Sequence, residues 1–189
     1  MKLSIILFRH GSVVSKKNIF CGWLNLPLNK EGESEAKELA SKLKNERIDV
    51  AFCSDQLRSQ ECLVEVLKYH SVAKVIIDPR LRERHYGALT GKEKELERKK
   101  SASGFAEIHR GYYATVLGGE NLFLVGKRVF PFMNDLLKFM QKEKCSVAIS
   151  AHTNSLRLIQ EYLEGLTPRQ ATLFEHHPAQ YKKYLVEFN

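Results

Sequence analysis

No apolar run in this 189-residue chain approaches the roughly twenty residues needed to cross a bilayer. The first run, Leu3-Ser4-Ile5-Ile6-Leu7, is too short for a secretory leader, is soon interrupted by Arg9 and precedes no small-residue cleavage site. A cytoplasmic protein without a membrane partner is therefore expected. The 4 cysteines, Cys21, Cys53, Cys62 and Cys145, form no CxxC pair and have no histidine at zinc-like spacing. No metal is expected, and the strand-like settings of Cys53 and Cys145 suggest buried thiols. Proline is scarce at 5 residues, and no repeat, low-complexity tract or linker divides the chain. One domain over 1–189 is the expectation, with enough chain for a substantial core. Acidic residues are in the minority, 22 against 30 Lys and Arg, for a net charge of +8. Such a balance favours an anionic partner. The basic clusters are short, however: Lys16-Lys17, Arg98-Lys99-Lys100 and Lys182-Lys183. With no recognition helix, RNA-binding signature or basic tail, nucleic acid is not expected, and a phosphorylated metabolite fits better.

What is present is an alternation of short strand patterns and longer helical ones. After the first strand, Glu33 to Glu46 puts Ala36, Leu39, Ala40 and Leu43 on one helical face. Val50–Cys53 reads as a buried strand, Leu63, Val66 and Leu67 as a helix face, and Lys74–Ile77 as a third strand. Residues 91–118 include a polar stretch without clear period, expected to be a helical or lid-like excursion. A helix is expected from Glu120 to about Lys142, kinked or split at Pro131. Val147–Ala151 is the next strand, followed by a helix bearing Leu156, Ile159, Leu163 and Leu166, and by a last strand at Tyr184–Phe188. This order predicts an α/β fold, a three-layer α/β/α sandwich with a largely parallel central sheet.

Ligands of such sheets bind beyond the carboxyl ends of the strands. The first strand ends in Arg9-His10-Gly11 and the fourth in His152. The second leads into Ser54-Asp55-Gln56-Leu57-Arg58, and the third into Leu81-Arg82-Glu83-Arg84-His85-Tyr86-Gly87. Four strand ends thus supply ionisable side chains to one rim, a suitable arrangement for a phosphoryl group. Each residue also has a plainer reading. His10 can be a satisfied strand-end histidine, Glu83 an ion pair with Arg82 or Arg84, Tyr86 a packing aromatic, and Lys94 and Arg110 solvated cations. For His85, His176 and His177, packing or surface placement is expected.

Together these residues resemble the histidine phosphatase superfamily, and within it the cofactor-dependent phosphoglycerate mutases. Arg9-His10-Gly11 is similar to the family's catalytic tripeptide, and the segment from Ala151 to Arg157 to its second histidine motif. Gly118-Gly119-Glu120-Asn121 is similar to a common turn of the family, while Phe20-Cys21-Gly22-Trp23 and above all Leu81–Gly91 resemble the mutase branch. The resemblance implies that His10 is the nucleophile, that Arg9, Arg58 and His152 complete the phosphate pocket, and that Glu83 is the general acid and base. Ser12 and Asn154 would add hydrogen bonds to phosphate, and Cys21, Gly22, Arg84, Tyr86, Lys94 and Arg110 would hold the remainder of a small phosphorylated three-carbon acid. It further implies 2,3-bisphosphoglycerate as the phosphoryl primer, no metal, and a possible homo-oligomer. The chain also departs from the pattern: it is one residue short between Gly11 and Gly22, His109 replaces an arginine, Thr153 replaces a glycine, and the segment between Arg110 and Gly118 is short.

The chemistry accounts for these residue types. A nucleophile for an anionic phosphate should itself be uncharged, as neutral imidazole is, and surrounding cations both favour that form and stabilise charge in the transition state. The implied activity is interconversion of 3-phosphoglycerate and 2-phosphoglycerate through a phosphohistidine. Two alternatives stay open: a phosphatase hydrolysing small phosphate monoesters, and a non-catalytic phosphoanion-binding module.

Overall fold

The first strand, β1 (Lys2–Arg9), is buried from Leu3 to Phe8. Alternate residues of β1 enter two different cores. Leu3, Ile5 and Leu7 belong to one cluster and Ile6 and Phe8 to the other. A strand buried on both faces has to be apolar throughout, which is why its sequence runs without alternation. The computed structural model describes residues 1–15 and 17–188, with the side chain of Arg110 outside the described residues.

After β1 come α1 (Lys30–Leu43), β2 (Val50–Cys53), α2 (Leu57–Leu67) and β3 (Lys74–Ile77). The excursion holds α3 (Lys94–Lys100) and α4 (Ala102–Arg110), and α5 (Leu122–Glu143) returns the chain to β4 (Val147–Ala151). Then follow α6 (Thr153–Glu164), the short α7 (Pro168–Ala171) and β5 (Tyr181–Glu187). The sheet order is β3-β2-β4-β1-β5. The first four strands run parallel, and β5 pairs antiparallel with β1. Residues of α1 and α2 fill the core on one face, and residues of α5 and α6 fill the core on the other. The expected α/β/α layering with a largely parallel sheet is what forms.

Differences from expectation are local. Pro131 neither splits α5 nor ends it. Buried Val129, Phe132 and Met133 hold the helix through the position where proline removes an N–H. Leu166 falls beyond the end of α6, which stops at Gly165 in the left-handed region with φ 62°. The edge strand β3 is exposed along its length.

Two close approaches set the site. A Cβ on Gly32, in the first turn of α1, would lie 2.0 Å from the Ser12 carbonyl oxygen, so only glycine lets α1 abut the loop after His10. Phe105, Ile108 and Val116 of the excursion pack on Phe20, Tyr86 and Leu89. The excursion is therefore anchored by an apolar cluster of its own.

Candidate active site

Parallel pairing puts three chain segments level at one sheet edge. Arg9 of β1 registers with Ala151 of β4, and Cys53 of β2 registers with Ser150. The next residues, His10 and His152, consequently emerge side by side, His152 just beyond the central strand β4, and Ser54 comes level with Ala151, the residue before it. The rings of His10 and His152 stand edge to face, 4.9 Å between centroids. Both are buried, His152 completely.

The His10 tautomer follows from its neighbours. Its Nδ1 lies 2.7 Å from the Gly11 carbonyl oxygen, which can only accept, so Nδ1 carries the proton. The bare Nε2 accepts from Arg58 Nε at 3.1 Å. Arg58 is itself clamped, donating from Nη1 to the Leu24 carbonyl at 2.7 Å and from Nη2 to the Gly22 carbonyl at 2.8 Å. Burial, then the charges of Arg58 and Arg9, pushes the His10 pKa well below the ordinary imidazole value. Burial likewise lowers that of His152, helped by Arg58, His10 and Arg9. Two neutral imidazoles beside two guanidiniums leave His10 Nε2 with its lone pair free of a proton and make a setting that attracts anions.

Glu83 arrives from the loop after β3. Its main chain is fixed by donation from its own N–H to Gln56 Oε1 and by acceptance at its carbonyl from Trp23 Nε1 and Arg128 Nη2. Its Oε1 accepts from the Arg84 N–H at 2.8 Å and the Asn154 N–H at 3.2 Å, the latter in the first turn of α6. Oε2 has no hydrogen bond among the described residues, so this oxygen is available to exchange a proton. The ion pair with Arg82 does not form, because Arg82 Nε donates to Asp55 Oδ1 at 2.7 Å instead.

His10 and Glu83 share the wall of a cavity of about 270 Å³ with Arg9, Ser12, Cys21, Gly22, Arg58, Tyr86, Lys94 and Asn154. Tyr86 accepts from Asn154 Nδ2 at 3.1 Å, and burial pushes its hydroxyl up to about 12. Lys94 has no ion-pair partner among the described residues, and its ammonium lies 5.8 Å from the centre of the Phe20 ring. Burial lowers its pKa. It is thus a partly desolvated cation that an anionic ligand would satisfy. The Ser12 N–H is already given to Glu35 Oε2 at 2.7 Å, which leaves the hydroxyl as the group that can meet a ligand.

Arg84 is a correction. It does not line the cavity. Fully buried, it donates from Nε to the Glu120 carbonyl at 2.6 Å, from Nη1 to Ile108 at 2.7 Å and from Nη2 to Ala114 at 3.1 Å. Neighbours in sequence diverge at a turn, and here Arg84 braces the excursion while Glu83 faces the ligand. Arg84→Ala should therefore strand three carbonyls and cost roughly 3 kcal/mol or more of stability. Limited proteolysis should cut 102–118 first in this variant, and Arg84→Lys should not rescue it, since an ammonium lacks the planar fork. Unchanged protection of that segment would refute the bracing role.

A second correction concerns the chain after α7. Glu175, His176 and His177 line the cavity, which departs from the packing or surface role expected of the two histidines. Arg9 Nη1 donates to the His176 carbonyl at 3.2 Å, and burial takes the His176 imidazole down to about 4. Arg157 also reaches the wall, donating to the Phe174 carbonyl at 2.7 Å and to Asn154 Oδ1 at 3.1 Å. Its position one turn beyond Asn154 on the same helix was the signal available for it. Nothing local in sequence marks the other three. His109 lines the cavity too, stacked on Phe105 at 5.2 Å, as does Thr153. The expected role of Arg110 lies outside the described residues.

A profile of the histidine phosphatase superfamily (branch 1) matches residues 5–188. The chain is 35% identical over 184 residues to the 2,3-bisphosphoglycerate-dependent phosphoglycerate mutase of Mesorhizobium japonicum, covering 93% of this chain and 88% of that protein. To the protein of the same name from Pseudoalteromonas atlantica it is 29% identical over 203 residues, with coverage of 90% and 88%. Among solved structures, mycobacterial glucosyl-3-phosphoglycerate phosphatase superposes with a TM-score of 0.86 at 19% identity, over 98% of this chain and 91% of that one. The alpha-ribazole phosphatase of Shigella flexneri gives 0.82 at 21% identity, over 96% and 89%. At such identities the likeness speaks for the fold alone.

Proposed function

Because this chain belongs to the histidine phosphatase superfamily, we propose that it is a phosphoglycerate mutase interconverting 3-phosphoglycerate and 2-phosphoglycerate through phospho-His10. The observation that carries the reading is Lys94, a partly desolvated ammonium without an ion-pair partner among the described residues, in the same wall as His10 and Glu83. A simple monoester would leave that cation unanswered, whereas a phosphorylated acid has a second anionic group for it. The names of the 35%-identical relatives support the same reading.

In this reading His10 Nε2 takes the phosphoryl group, forming an N–P bond as the P–O bond breaks. Arg9, Arg58 and His152 face the charge on the transferring oxygens. Glu83 gives a proton to the leaving oxygen and removes one from the hydroxyl that attacks next, worth about 10²–10⁴ in rate. The cationic wall of Arg9, Arg58, Lys94 and Arg157 fits 2,3-bisphosphoglycerate, which would supply the phosphoryl group that primes His10. Tyr86, Asn154, Ser12 and the Cys21-Gly22 segment would orient the three-carbon acid.

An enolase-coupled assay with and without bisphosphoglycerate tests the proposal. Isomerisation should rise several-fold or more with the cofactor, and inorganic phosphate should appear far more slowly. One feature favours hydrolysis instead: His109 brings a neutral-capable imidazole to the wall where the mutase pattern has an arginine. Phosphate release outrunning isomerisation would establish the phosphatase reading.

A further inference from the structure

Gln56 belongs to the motif after β2, yet the chemistry above gives it no role. It stands at the residue that opens α2, a place where a short polar side chain usually turns back on its own helix. The Gln56 side chain makes no such bond, and the Leu57 N–H is served by Asn25 Oδ1 at 2.7 Å instead. Its own N–H goes to Ser54 Oγ at 3.3 Å, an oxygen that also lies 2.7 Å from His152 Nε2. Buried at 4% exposure, the side chain uses both ends of its amide elsewhere. Nε2 donates to the Gly22 carbonyl at 2.9 Å, and Oε1 accepts from the Glu83 N–H at 2.9 Å. A carbonyl can only accept and a peptide N–H can only donate, so the amide has one orientation. The same Gly22 carbonyl is held by Arg58 Nη2 at 2.8 Å, while Arg58 Nε faces His10 Nε2. A continuous path of hydrogen bonds therefore runs from the His10 ring through Arg58, Gly22 and Gln56 to Glu83.

We propose that Gln56 is a positioning residue that sets where the Glu83 carboxyl stands relative to His10. Resting on the phosphoryl-transfer reading, this deepens it. As the His10 Nε2–P bond forms and the ester P–O bond breaks, the Glu83 carboxyl hands its proton to the departing oxygen. That transfer needs Glu83 within hydrogen-bond reach of an oxygen whose place is set by His10 and Arg58. A flat amide with a donor at one end and an acceptor at the other keeps the two sides at a constant spacing. Trp23 and Arg128 hold the Glu83 carbonyl. Gln56 ties the N–H of the same residue to the segment that clamps Arg58.

Two aryl esters read this role without knowledge of the physiological substrate. p-Nitrophenyl phosphate releases a stable phenolate that needs little help from an acid, whereas phenyl phosphate releases a basic one that does. In Gln56→Met, kcat/KM should fall about 10–100-fold with phenyl phosphate and only a few-fold with p-nitrophenyl phosphate. Glu83→Gln should show the same selectivity more strongly. Adding Gln56→Met to it should cost little more, since residues that act through one another are not additive. A loss in Gln56→Met that is equal for the two esters, or that adds in full to that of Glu83→Gln, would overturn the proposal. If Gln56→Met does not fold, Gln56→Ala takes its place. The adjoining cavity of about 170 Å³, lined also by Trp23, Asn25, Asp55 and Arg82, then lets water meet the freed groups. Wild-type protein inert toward both esters would remove the phosphoryl-transfer reading and this proposal with it. Failure of the mutase assay alone leaves the ester comparison intact, so the two readings fail separately.

Discussion

His10→Ala should form no phosphoenzyme and lose turnover by roughly 10⁶-fold, the scale seen when a nucleophile is removed from an intact site. Rapid acid quench is unsuitable for N–P bonds, so the phosphoenzyme should be followed by intact-protein mass spectrometry at alkaline pH. Arg58→Ala should behave differently. The nucleophile remains, but the donor facing its Nε2 and the transferring phosphoryl is gone, a loss of about 10²–10³ in kcat. This variant should also be less stable, because the Gly22 and Leu24 carbonyls lose their donors, at about 1–3 kcal/mol for each one left unsatisfied. His10→Ala leaves that clamp in place and loses only the acceptor of Arg58 Nε, so it should unfold at a higher urea midpoint than Arg58→Ala. A phosphoenzyme in His10→Ala would show that another residue is the nucleophile. Wild-type stability in Arg58→Ala would show that the clamp contributes nothing.

The second large effect is on stability below neutral pH. His10, His152 and His176 all have depressed pKa values in the fold, with burial as the first cause in each case. Unfolded, each should titrate at about 6.5. Below that value the unfolded chain binds protons that the native protein does not, so unfolding is favoured as pH falls. The stabilisation is complete above about pH 6.5 and drains away on acidification. For His176 the loss runs down to about 4. Each neutral buried histidine contributes a slope of about 1.4 kcal/mol per pH unit in that window, up to roughly 4 kcal/mol per unit for the three. Glu161, whose carboxyl is raised by burial, has the opposite sign and offsets part of this. Urea unfolding from pH 7.5 to 5 should show the midpoint dropping steadily, with about a third of the slope lost in His176→Phe. A flat profile would mean that these imidazoles take up protons in the native state.

The two effects share an origin. Burying His10 and His152 among guanidiniums keeps the proposed nucleophilic nitrogen, His10 Nε2, free of a proton, and the same burial makes the fold acid-labile. Stability at low pH is given up where the chemistry needs a neutral ring.

Much of this was legible in the residues. Val50–Cys53, Lys74–Ile77 and Val147–Ala151 are strands with the bounds that their apolar runs suggest. The face Ala36, Leu39, Ala40 and Leu43 of α1 is buried as its period predicts. His10, Arg58, Glu83 and His152 follow strand ends, and a parallel sheet collects strand ends at one edge, so their meeting was implicit in the order of elements. Other features were not legible. Arg84 and Glu83 are adjacent in a segment without period, and only the path of the excursion sends one to a set of carbonyls and the other to the cavity. Glu175, His176 and His177 reach the wall because β5 pairs back against β1, a long-range contact that no local pattern encodes. Ser54 meets His152 through strand register, which depends on the packing of both sheet faces together. Local periodicity was enough to determine strands, helices and the sheet edge that carries the candidate site, since each is set by which side chains must leave water. Which polar groups satisfy one another across that edge was decided only by the tertiary structure, because hydrogen bonds require ångström placement between segments far apart in the chain.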